Sequence, residues 1–244
     1  MKVAADDPLA IELVEAIRGG AVAALEALLR SQPQLARVQI ADPSCGDARS
    51  LLHVATDWPG HFPNGAAVVR ALVAARADVN ARGAGRVTET PLHWAASSDD
   101  IGILDALLDA GADIEADGAV IGGGTALDDA VAFGQWNAAR RLVARGATAS
   151  FRNAAALGLE PVVAEHAATA DPGELSMAFW YACHGGRREV AEELLERGAD
   201  RDWVAPWDGL TPLDAARRSD ADAVAVWLER LGARAGADVR RAGT

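Results

Sequence analysis

Apolar residues along this chain recur in short bursts spaced three and four apart, the pattern of helices with one inward face, rather than in the alternation that marks strands. The bursts come in pairs. A first short helix is predicted in each of "SLLHVAT" at 50, "TPLHWAA" at 90, "TALDDAV" at 125, "SFRNAAA" at 150, "MAFWYAC" at 177 and "TPLDAAR" at 211. Each is followed by a second apolar segment, such as "IGILDALLDAGADI" or "EVAEELLERGAD". Thr90, Thr125 and Thr211 stand where a hydroxyl caps the free N–H groups of a helix, and Pro91 and Pro212 fit the first helical position, which needs no donor. Leu92 and Leu213 are expected in the core, and the alanines that follow let neighbouring helices approach closely. One such pair cannot bury its own apolar face, so the units must stack.

These copies resemble the ankyrin repeat, most specifically at "ETPLHWAA" with "LLDAGADI" and at "DGLTPLDAA" after "LLERGAD". The resemblance covers roughly residues 8 to 236. It implies an all-α fold, an ankyrin-repeat solenoid of stacked antiparallel helix pairs with short β-hairpin-like loops. The expected organisation is a single repeat domain over 1–236, with an N-terminal capping repeat at 8–36 and about six further repeats over 46–236. Residues 237–244 read as a flexible tail. The aligned starts are separated by 40, 35, 25, 27 and 34 residues, against a usual period of roughly 33. The units near 150 and 177 are therefore shortened, and the first long step holds an insertion, "TDWPGHFPN" at 56–64.

The insertion is unusual. Asp57, Trp58, His61 and Phe62 lie among Pro59 and Pro63 in a segment too rich in bulky side chains for a plain surface loop, which predicts a rigid wall or lid at one end of a groove, or a plug for the gap. In the ankyrin arrangement, loops and the ends of first helices line a concave face. Carried over by position, this puts Asp57, Trp58, Ser97, Ser98, Phe133 and His184 on that face, with Trp203, Trp207 and Asp208 projecting from the last full loop. Together with His61 and Phe62 these are the candidate ligand- or partner-binding residues. His53 and His93 occupy the motif position where the family ties adjacent repeats by hydrogen bonds, a structural role, and Asp128, Asp214 and Trp180 replace them elsewhere. Trp94, Trp136 and Trp227 read as packing residues, and Asp128-Asp129 as a cap or a solvated face.

Charge and chemistry narrow the function. A net charge of −12 opposes binding to nucleic acid or to anionic membranes. Acidic residues interrupt the N-terminal segment, and no apolar run approaches the roughly 18 residues of a membrane span, which places the protein in the cytoplasm. Cys45 and Cys183 lack metal-site spacing, the glycine-rich stretches lack a P-loop lysine, and no metal or cofactor is expected. The first reading is a binding scaffold that recognises a protein partner through an aromatic concave groove. The alternative is a small apolar molecule held in a groove closed by 56–64, with Asp57, His61, His184 and Asp208 as candidate catalytic groups of a cofactor-independent isomerase, cyclase or hydrolase.

Overall fold

The computed structural model describes residues 1–120 and 122–242. They form two compact units, Met1–Ala147 and a second that begins at Thr148.

In the first unit, four helix pairs follow one another: α1 (Pro8–Arg18) with α2 (Val22–Ser31), α3 (Leu51–Thr56) with α4 (Gly65–Ala74), α5 (Pro91–Ser97) with α6 (Ile101–Asp109), and α7 (Ala126–Ala132) with α8 (Trp136–Ala144). The first helices stack in the order α1, α3, α5, α7, and the second helices in the order α2, α4, α6, α8. Leu13, Leu52, Leu92 and Leu127 are fully buried along the first row, and Leu25, Leu72, Leu104 and Leu142 along the second. The alanine pairs act as anticipated, since Ala95, Ala96 and Ala130 are buried where first helices press together. A small sheet was not anticipated: β1 (Lys2–Ala4) runs parallel to β2 (Gln39–Ala41), which pairs antiparallel with β3 (Ala48–Ser50) in the first hairpin.

The expected caps are present. Ser50, Thr90 and Thr125 hold extended backbone ahead of α3, α5 and α7, each in a reciprocal capping box. In α3 and α5 the box residue is a histidine. His53 Nδ1 accepts from the Ser50 N–H at 3.3 Å, which leaves its proton on Nε2, donated to the Glu89 carbonyl of the next loop at 3.1 Å. His93 does the same with Thr90 and the Gly124 carbonyl. Asp128 closes its own box by accepting from the Thr125 N–H at 2.8 Å.

The second unit holds α9 (Phe151–Leu157) with α10 (Glu160–Ala167), α11 (Pro172–His184) with α12 (Arg188–Glu196), α13 (Pro212–Arg218) with α14 (Asp222–Arg230), and α15 (Gly236–Ala242). Only Ala168–Asp171 separate α10 from α11, the tight turn that the short spacing requires. The unit expected to start at 177 in fact starts five residues earlier. Asp171 and Glu174 form the capping box, and "MAFWYAC" lies inside a 13-residue helix. Of the residues read as a tail, 237–242 belong to the helix Gly236–Ala242, with the Gly236 N–H on Asp214 at 2.7 Å and Arg240 donating to the Gly209 carbonyl at 2.7 Å, and 243–244 lie outside the described residues.

Candidate functional site

The insertion joins α3 to α4 and is fastened at three places within the first unit. Asp57 accepts from Arg18 at 2.5 Å and from Arg49 at 2.9 Å. Arg18 also lies over the Phe62 ring, 5.8 Å from its centroid. Asn64 donates to the Gly20 carbonyl at 3.0 Å, while His61 uses its backbone N–H on Asp100 at 2.8 Å and its Nε2 on the Ser98 carbonyl at 3.0 Å. The segment therefore straps the turn after α1 to the turn after α5 across the intervening repeat. Two glycines make room for it. A Cβ on Gly20 would meet the Pro63 carbonyl oxygen at 2.1 Å, and one on Gly60 would meet Ser98 at 2.8 Å.

Strapping the backbone leaves one large side chain outside. Trp58 is 81% exposed. Its neighbours across the surface are Ser97, Ser98 and the 48%-exposed Phe133, around a cavity of about 270 Å³ that also takes in Thr56, Glu89, Trp94 and Val120. Asp57, Trp58, Ser97, Ser98 and Phe133, five of the residues placed on the concave face by position, thus line one depression. Phe62 and His61 belong to the strap.

Glu89, Trp94 and Asp129 were not singled out as site residues, and they alter its chemistry. Trp94 stands edge-on to His53, with ring centroids 5.0 Å apart, and its indole donates to the Glu89 carboxylate. Glu89 is half-buried, and that burial pushes its pKa above the ordinary range despite the hydrogen bonds to Trp94 and Asp129. Asp129 is fully buried, which corrects its reading as a cap or a solvated face. Glu89 and Asp129 are thus neighbouring carboxyl groups, with Glu89 in the lining of the aromatic depression. The signal lay in the repeat alignment. Asp129 falls at the position that Val54, Trp94 and Ala215 occupy in other copies, and a carboxylate there has no packing reason.

The four candidate catalytic groups are each committed locally. Asp57 is held by two arginines and His61 by Ser98 and Asp100, and no hydrogen bond joins Asp57 to His61. In the second unit, His184 is 4% exposed, and its Nδ1 meets the Ser219 hydroxyl at 2.5 Å. Asp208 pairs with Arg218 at 2.8 Å. Trp203 and Trp207 are folded together, their ring centroids 5.6 Å apart, and Trp207 stands 5.3 Å from Trp180 and 5.9 Å from Tyr181. Trp207 is 47% exposed, so it is the outer member of an aromatic cluster whose inner member, Trp180, donates to the Leu210 carbonyl. Among the described residues, no group of three or more His, Cys, Asp or Glu could hold a metal ion, and no helix is long and apolar enough to cross a membrane.

Stacked helix pairs, hairpin loops and a lined depression define a repeat solenoid. Residues 52–153 match the family model described as ankyrin repeats (3 copies). The crystal structure of the human ASB11 ankyrin repeat domain is similar in fold, with a TM-score of 0.53 and 21% sequence identity over 88% of this chain and 96% of that one. No curated protein matches the chain. Residues 52–153 thus match ankyrin repeats in sequence, and the described residues share the fold of an ankyrin-repeat solenoid. Ankyrin repeats are in general scaffolds for protein–protein interaction.

Proposed function

We propose that the chain recognises a protein partner through the depression between Trp58 and Phe133 in its first unit. The observation that carries this reading is Trp58 itself: a tryptophan left 81% exposed on a loop whose backbone is strapped at three places. A rigid, exposed aromatic loses little conformational entropy on binding, and aromatic anchors of this kind dominate interface energies. The size of the depression agrees. At about 270 Å³ it lies below the roughly 300–1,000 Å³ of small-molecule sites and suits a side chain presented by a larger surface. The acid–base alternative draws less support, because Asp57 and Asp208 are each ion-paired with arginine and His61 is tied to Ser98 and Asp100.

A photo-crosslinking amino acid at position 133, in the full chain expressed in its own host, tests the proposal. The expected result is a discrete polypeptide adduct that disappears with Trp58→Ala and is not formed from position 226 on α14. Equal capture from both positions, or capture indifferent to Trp58→Ala, overturns it.

A further inference from the structure

We infer that the depression is a socket for one basic side chain, an arginine or lysine, projected by the partner polypeptide. This rests on the groove reading above and adds the chemistry of what enters. Glu89 lines the depression, its carboxyl is met by the Trp94 indole, and among the described residues no lysine or arginine is ion-paired with it. At the opposite edge, the Asp57 carboxylate is already matched by Arg18 and Arg49. The unmatched negative charge therefore sits at the Glu89 end, beneath Trp94 and Phe133.

Several independent features select an organic cation from a polypeptide. Aromatic side chains from three elements, Trp58, Trp94 and Phe133, ring the depression, and π-faces attract a guanidinium or ammonium that a carboxylate also holds. A hard metal ion would need about six oxygen ligands, which a tryptophan-lined wall does not offer. The volume of about 270 Å³ admits one long side chain. The net charge of −12 steers a basic segment toward the molecule from a distance. Glu89 also explains itself under this reading. Half-burial disfavours the ionised form of the Glu89 carboxyl in the free protein, because it is partly removed from water. An arriving cation offsets this penalty.

The test is a selection of an unbiased phage-displayed peptide library on the immobilised full chain, repeated on Trp58→Ala and on Glu89→Gln. Glutamine still accepts from Trp94 and matches glutamate in size, so this variant keeps the fold, and an unchanged melting temperature verifies that. The expected outcome is peptides enriched in arginine or lysine at one position, lost on Trp58→Ala and weakened at least about tenfold by Glu89→Gln. Replacing the basic residue of a selected peptide by glutamine should weaken it to the same degree on the wild type and leave affinity for Glu89→Gln unaltered. Trp58-dependent peptides without a basic position, or indifferent to Glu89→Gln, overturn the socket while leaving the groove reading intact. An absence of any Trp58-dependent peptide overturns both. N-acetyl-arginine amide competing at the peptide's own concentration would show a small-cation site instead and overturn the choice of a polypeptide.

Discussion

Five histidines share one side chain, and their neighbours divide them into different chemistries. His53 is buried with both ring nitrogens engaged in the neutral form, accepting on Nδ1 and donating from Nε2. Burial pushes its pKa from 6.5 down to about 4. The unfolded chain takes up a proton at that residue below pH 6.5 and the folded one does not, so the contribution to stability is complete above 6.5 and is lost as pH falls toward 4. A depression of this size corresponds to about 3 kcal/mol. His93 titrates in the same direction, for the same cause. Glu89 opposes them: its raised pKa means the folded state holds the proton more tightly, so its ionisation lowers stability as pH rises above 4.5. Replacing His53 by Gln keeps an acceptor for Ser50 and a donor for Glu89 while removing the titration. Urea denaturation at pH 4.5 and 7 should show wild-type stability falling by a few kcal/mol on acidification, and His53→Gln losing most of that fall. The structural role of His53 was readable from its motif position. The ties of His61 were not, because its partners Ser98 and Asp100 are nearly 40 residues distant.

At the scale of elements, the segment between α3 and α4 shows how an insertion can leave a repeat intact. Its sequence announced rigidity through two prolines and several bulky side chains, and left open whether it closes a groove or fills a gap. The structure divides these tasks between residues. Asp57, His61, Phe62 and Asn64 fasten the backbone to the repeats before and after, and Trp58 remains outside. This division depends on Gly20, which has φ of 65° and lies directly against the Pro63 carbonyl. Gly20→Ala requires both a left-handed alanine and retreat of the strap, and should destabilise the protein by about 2 kcal/mol or more. Chemical denaturation measures this. Because the retreat moves Trp58, the same variant should also weaken whatever binding Trp58→Ala weakens. Destabilisation below about 0.5 kcal/mol would mean that the strap is not held at that point.

Across the whole molecule, legibility followed the regularity of the repeats. Where the Thr-Pro-Leu motif is kept, at α5 and α13, helix starts and caps were correctly anticipated. At "MAFWYAC" the motif has no Thr or Pro, and the alignment missed the Asp171–Glu174 box that opens α11 earlier. The last loop gives the sharpest remaining contrast, because "DWVAPWDG" offered no way to tell an anchor from a packing residue. Trp207 shares edge or tilted contacts with Trp180, Tyr181 and Trp203, each the kind of pair worth roughly 0.5–1.5 kcal/mol, whereas Trp58 has no ring partner among the described residues and little burial. The two tryptophans should therefore separate in urea denaturation. Trp207→Ala is expected to cost about 1–3 kcal/mol, and Trp58→Ala less than about 0.5 kcal/mol. Partner capture from position 133 should respond in the opposite sense, failing with Trp58→Ala and persisting with Trp207→Ala at temperatures where that variant stays folded. If Trp207→Ala costs nothing in stability and abolishes capture, the recognition site lies on the loop of the second unit, and the depression beside Trp58 is a by-product of the strap.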